Sequence, residues 1–350
     1  MVHPPQDEVP SVEAKSVAVV FRHDEDLRIT YDVLRWMMIG LPALLFVVTF
    51  SYALRTGSFE GSISAYYGGP VRDVFVGVVI ATAACMVAYR GWFALEDFAL
   101  NAAGFFAVFV GLVPAGLGTI MSDLRERDEA LAALATSEAL TGELPAALEN
   151  AAPAFTAEQY GWSLRIALTA VALLCAWWVR NDFKQSRHTL DLLDRGGASR
   201  GTAVCLAAVA LCFSVLTYWQ LWLTGPADRI SLPGITVGPL HLDVHAIAAS
   251  LMIAALLVVV ASHGWPEQAA RADPGRSVQP ADHRLRHVYR TIFGLMLIGA
   301  LGLAGLGVVF FPERMVLTVE WYEIFLFCWF WALETRRVSR GRHAVEEAAE

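Results

Sequence analysis

Apolar blocks of twenty or so residues alternate along the chain with polar stretches that hold nearly all of its Lys and Arg. A helix crosses ~30 Å of hydrocarbon at 1.5 Å per residue, so each block is long enough to span a bilayer. Eight such blocks occur, at 33–54, 71–89, 98–121, 161–179, 202–223, 241–262, 291–311 and 315–334. The pattern predicts an all-α polytopic transmembrane helix bundle of about eight spans over 31–335. It lies between a polar N-terminal tail, 1–30, and a C-terminal tail, 336–350. Pro312 breaks the chain between the last two spans, which therefore form an antiparallel hairpin around Pro312, Glu313 and Arg314. The long acidic connection 122–160 has the Ala/Leu/Glu spacing of a short amphipathic helix, which Pro145 and Pro153 end before span four. It reads as a solvated cap over one mouth of the bundle or as a docking surface for a partner.

Composition sharpens this picture by exclusion. The chain has 350 residues, 56% hydrophobic and only 17% charged, which excludes an ordinary soluble enzyme. Net charge is -8 and no basic patch stands out, so no nucleic-acid partner is expected. The partners left are the lipid bilayer and small molecules. Summing Lys and Arg over alternate connections, with the intramembrane Arg165 set aside, gives 19 on one side and 6 on the other, so both termini are expected in the cytoplasm. The first thirty residues are acidic and lack the short apolar core of a cleavable signal, leaving the first span to direct insertion. Tyr160, Trp162, Tyr218, Trp219 and Trp222 stand where an outer aromatic belt is expected. Small residues, among them Gly104 and Gly111 in span three and Gly299 in span seven, mark close helix approaches.

Several chemistries fall away. Cys85, Cys175, Cys205, Cys212 and Cys328 all lie in apolar blocks with no CxxC pair, and read as small buried hydrophobes. Lys15 and Lys184 are the only lysines and neither lies in a span, which excludes an intramembrane Schiff base. His263 and the histidines of the tails and inner connections sit outside the spans or at their inner edges, against haem pairing across the bilayer. No Gly-x-Ser-x-Gly elbow occurs.

Three groups of polar residues remain. In span eight the apolar run Ile324 to Leu333 covers only ~15 Å, so the helix must continue through Glu323 and Glu320. Counted back from Glu334, Glu323 lies ~16 Å up, near mid-membrane, and Glu320 ~21 Å up on the same helical face. Intramembrane carboxylates are costly and disproportionately functional, the plain alternative being a buried pair that specifies packing. Arg165 in span four reaches nearly the height of Glu320, and a Glu320 to Arg165 pair is expected. In the second group, a helix starting at Pro239 places His241 and His245 four apart on one face, as paired metal ligands require; interfacial or hydrogen-bonding roles are the alternative. The third group is Ser62, Ser64, Tyr66 and Tyr67 followed by Asp73, whose carboxylate suits a helix N-terminus. All three belong to helices that start from the same face. Together they predict an outward polar funnel, with Asp73 and His245 above and Glu320 and Glu323 below.

At these segments the chain resembles a poorly characterised family of bacterial multi-pass integral membrane proteins. The likeness rests on Ser62-Ile63-Ser64-Ala65-Tyr66-Tyr67, Arg72-Asp73-Val74-Phe75-Val76-Gly77, His245 with Ala248 and Ala249, and Trp321-Tyr322-Glu323. Gly68-Gly69 departs from the Tyr-Thr continuation of that family. The resemblance implies the membrane bundle, a bacterial cytoplasmic (inner) membrane location and the choice of site, but no activity. A fainter resemblance is to the membrane hydrolases that include alkaline ceramidases and adiponectin receptors. It implies a zinc ion on a His-x-x-x-His pair, here His241 and His245, with Ser62 and Asp73 matching their Ser and Asp. The third histidine of that family is absent, since Tyr66 stands four after Ser62.

Two readings of the funnel follow. In one, Glu323, Glu320, Arg165, Tyr66, Tyr67, Ser62 and Ser64 bind a cation, proton or small amphiphile for transport or sensing. In the other, His241, His245 and Asp73 hold zinc, whose bound water hydrolyses a lipid amide or ester with Glu320 or Glu323 as proton acceptor. A non-catalytic partner subunit or scaffold is the remaining class.

Overall fold

A computed structural model describes residues 12–141, 155–185, 197–238, 240–271 and 280–347. The protein is built almost entirely of helices: α1 (Val12–Thr56), α2 (Arg72–Ala88), α3 (Ala94–Leu112), α4 (Leu117–Thr141), α5 (Ala157–Gln185) and α6 (Gly197–Leu223). A hairpin of β1 (Ile235–Val237) and β2 (Leu240–Leu242) leads to α7 (Val244–Gly264) and the short α8 (Pro266–Arg271). Then come α9 (Pro280–Gly294), a π turn (Leu295–Gly299), α10 (Ala300–Phe310) and α11 (Met315–Glu347). Helices prevail for a physical reason, since only a helix satisfies every backbone group of a single segment inside hydrocarbon.

Among the described residues seven helical segments are long and apolar enough to cross a membrane, the signature of a multi-pass membrane protein. The remaining expected span, α2, has 17 residues and so covers ~26 Å, short of that length, yet it packs between α1 and α3 in the same bundle. Span three was expected to run to 121; the helix instead stops at Leu112 and restarts at Leu117. Pro114 lies between, removing a backbone donor and disfavouring helix for the residue before it. The expected helix start at Pro239, itself outside the described residues, is also corrected. Leu240–Leu242 pairs antiparallel with Ile235–Val237, and α7 begins only at Val244 with Asp243 as its N-cap. Gly234 makes this corner possible, because at φ +72° any Cβ would strike the Leu242 carbonyl. The acidic connection after α3 does carry a helix, α4; the stops expected at Pro145 and Pro153 lie outside the described residues.

The core is formed by α1, α2, α3, α7 and α11, with α3 at its centre against α2 and α7. Gly104 and Gly111 allow the α2–α3 approach: a Cβ on Gly104 would lie 2.7 Å from Val87 and 2.9 Å from the Ala83 carbonyl. The helices α5 and α6 are peripheral, with 17% and 22% of their apolar windows buried, against 56% for the window that contains α3. Two buried clusters stack along the bundle. One, around Phe106, Phe109 and Phe213, lies toward the end where α7 begins; the other, around Tyr89, Tyr289, Phe330 and Trp331, lies toward the end where α7 finishes. We refer to these as the His245 end and the His263 end.

Candidate functional site

The turn Pro312–Arg314 reverses the chain and starts α11, which brings Glu320 and Glu323 inward three residues apart on one face. Both carboxylates line a half-open pocket of about 150 Å³ among the core helices. Its remaining wall is almost wholly apolar: Pro42 and Leu45 of α1, Phe75 and Val78 of α2, Val110 of α3, Met252 and Leu256 of α7, and Met296 of the π turn. Thr82 is the other polar side chain there, and its hydroxyl donates to the Val78 carbonyl at 2.8 Å. A space of ~150 Å³ has room for a benzene-sized molecule.

The two acids differ in their surroundings. Glu320 Oε2 accepts the backbone N–H of Ile63 at 2.5 Å, and the Leu317 N–H donates to the Gly61 carbonyl at 2.9 Å. These bonds fasten the 57–71 loop over the cavity, where Ile63, 3% exposed, is part of the lining. Glu323 is 7% exposed, and neither of its carboxylate oxygens has a hydrogen-bond partner among the described residues. An ionised carboxylate held this way among apolar side chains is expensive unless something supplies a donor or a positive charge.

The loop hydroxyls are spent on folding the loop. Ser62 Oγ lies 2.9 Å from Ser64 Oγ and accepts the Ala65 N–H at 3.0 Å, while the Tyr66 hydroxyl accepts the Glu60 N–H at 3.3 Å. Tyr67 is buried, with the Arg72 guanidinium 4.9 Å above its ring. None of the four lines the cavity.

The expected Arg165 to Glu320 pair does not form. Arg165 is buried against the end of α6, its Nε donating to the Leu221 carbonyl at 3.0 Å and its Nη2 to the Gly225 carbonyl at 2.5 Å. Its guanidinium lies 5.4 Å from the Trp162 ring and 5.1 Å from the Trp222 ring. The last carbonyls of a helix have no partner within it, and an arginine fork between two indoles satisfies them and screens the charge. Arg165 meets the end of α6 and the residues just after it, not α11.

The three residues expected to hold zinc are likewise kept apart. His241, on β2, is exposed and its Nδ1 lies 3.0 Å from Thr236 Oγ1 across the hairpin. His245, in the first turn of α7, is buried, and its Nδ1 donates to the Val113 carbonyl at 2.6 Å, an acceptor released by the break at Pro114. Asp73 is exposed in the first turn of α2. No group of three or more His, Cys, Asp or Glu side chains suited to a metal ion occurs among the described residues. Of the expected funnel residues, Glu320 and Glu323 line the pocket, with Ile63 of the loop forming part of its wall.

At the His263 end the structure assembles a charged cluster that sequence reasoning missed. His263 Nδ1 lies 2.9 Å from Glu334 Oε1, and its Nε2 lies 3.1 Å from Glu96 Oε1, an ion-pair contact without hydrogen-bond alignment. Arg337 Nε donates to Glu334 Oε2 at 2.8 Å. Glu96 Oε2 in turn accepts the backbone N–H of Trp92 at 2.7 Å, closing the turn into α3. The cluster is buried and ties α3, α7 and α11 together. The available signal was the set of acids flanking apolar blocks, Glu96 and Glu334, with a histidine at the end of a third block. Comparison with protein-family models, with curated proteins and with solved structures finds no match to this chain.

Proposed function

We propose that this multi-pass protein binds a small amphiphile with a cationic head in the Glu323 cavity, for sensing or transport. The observation that carries the reading is the buried Glu323 carboxylate, both oxygens without a partner, in an apolar chamber of ligand size. An inorganic cation is poorly served, because two carboxylates fall short of the six or more oxygens that a hard cation gathers. An amine on a small apolar body matches both the acid and the walls. Of the residues behind the resemblance to the bacterial multi-pass family, Ile63 and Phe75 line the cavity and Glu323 is its acid. In this reading α2 completes eight crossings, both termini are cytoplasmic in a bacterial inner membrane, and the loop over the cavity faces outward.

Thermal unfolding of the detergent-purified protein with benzylamine and with benzyl alcohol separates charge from shape. The reading predicts stabilisation by the amine well above that by the alcohol. Equal shifts from both, or none from either, would overturn it.

A further inference from the structure

A second cleft, of about 580 Å³, separates α3 from the outlying helices α5 and α6. It runs along α3 from Ala94 to Val108, ~21 Å of helix, starting at the His263 end. That length covers one leaflet of the ~30 Å hydrocarbon core and a little more. Its walls are mainly apolar, and Leu174, Trp177 and Leu211 are also more than half exposed, so the cleft opens sideways toward lipid rather than toward water. The helices α5 and α6 scarcely touch each other along it. A tie between them, from the Tyr218 hydroxyl to the Leu168 carbonyl, lies beyond the cleft toward the His245 end.

Polar groups gather at the mouth in a definite order. Arg90 follows α2 and is half exposed, 3.1 Å from Asp97 Oδ2. One turn deeper, Asn101 lines the cleft with its amide oxygen buried and without a hydrogen-bond partner among the described residues. A guanidinium carries five donors and is matched to phosphate oxygens. The ends of a terminal amide are interchangeable by a flip, so Asn101 can meet either a hydroxyl or an ester carbonyl.

We infer that this cleft is a binding site for one phospholipid, with an acyl chain between α3, α5 and α6, the phosphate at Arg90 and the glycerol ester region at Asn101. Bulk on the α6 wall, where Ala207 lines the cleft, would exclude the chain, and loss of the guanidinium would weaken only the hold on phosphate. The inference is independent of the ligand at Glu323.

Native mass spectrometry tests it on the full-length protein, stripped of lipid in detergent and titrated with dioleoylphosphatidylglycerol or with dioleoylglycerol, which shares the tails and lacks the phosphate. One tightly bound phospholipid per chain is expected. Ala207→Trp should weaken its binding at least about tenfold, and Arg90→Ala should weaken phosphatidylglycerol alone by about the same factor. Ala207→Trp is the decisive variant should Arg90→Ala disturb the α2–α3 turn. Wild-type chain without bound lipid, undiminished binding in Ala207→Trp, or a lipid-free dimer in place of the complex would overturn the inference.

Discussion

His263 Nδ1 sits 2.9 Å from Glu334 Oε1, joining the end of α7 to α11 inside the buried part of the bundle. Glu96 stands on the other side of the ring and Arg337 beyond Glu334. Removing the imidazole strands two buried carboxylates near each other, and breaking such a pair costs about 3–5 kcal/mol. His263→Ala should therefore lower the unfolding temperature in detergent sharply. Adding Glu96→Gln should recover part of the loss, since the two groups interact. A His263→Ala protein that melts with the wild type would contradict the role assigned to the cluster.

Glu320 holds the loop over the cavity by accepting the Ile63 N–H. Such a bond contributes about 0.5–3 kcal/mol, the upper end applying to an ionised acceptor, so Glu320→Ala should speed amide exchange at Ile63 by a factor between about 2 and 100. Glu320→Gln keeps an oxygen there and should show a smaller change. Exchange at Ile63 that is indifferent to both variants would mean that the loop is held by other contacts.

Arg165 gives a prediction with two parts. Arg165→Ala leaves the Leu221 and Gly225 carbonyls without their donor and should cost about 1–3 kcal/mol of stability. Because Arg165 does not meet Glu320, the same variant should bind benzylamine as the wild type does. A large loss of ligand affinity in folded Arg165→Ala protein would revive the pairing that the structure replaces.

The π turn also tests the cavity wall. The Tyr322 hydroxyl donates to the Leu295 carbonyl at 3.0 Å, directly over Gly299, where a Cβ would collide with that hydroxyl. Gly299→Ala should cost about 1–3 kcal/mol, as overpacking does, and Tyr322→Phe in the same chain should relieve most of it. Calorimetric unfolding of the three variants reads this directly.

Much of the architecture was legible because hydropathy in lipid is a strong constraint. The helical bundle and the Pro312 hairpin follow from apolar length and a single breaker. Glu320 and Glu323 could be placed because α11 is fixed at one end by charge and rises regularly from there. What escaped was lateral. One sequence gives the position of Arg165 along its own helix but not which helix it faces, so a partner on α11 was expected where the structure supplies the carbonyls of Leu221 and Gly225. The histidine pair failed locally: His241 reads as helical by spacing, yet Gly234 and the pairing of Thr236 with His241 turn that stretch into a hairpin. His263 was set aside as an edge residue, since nothing in its own helix shows that Glu96 and Glu334 converge on it from two others.

The central claim is that Glu323 is a ligand's partner and not a packing acid. The most direct measurement is the dissociation constant of benzylamine for the wild type and for Glu323→Gln in the same detergent, with folding of both verified. Truncating one member of a buried charged pair costs about 2–5 kcal/mol, so the account predicts at least about a tenfold weaker affinity in Glu323→Gln. Equal affinity in a folded Glu323→Gln protein would contradict it.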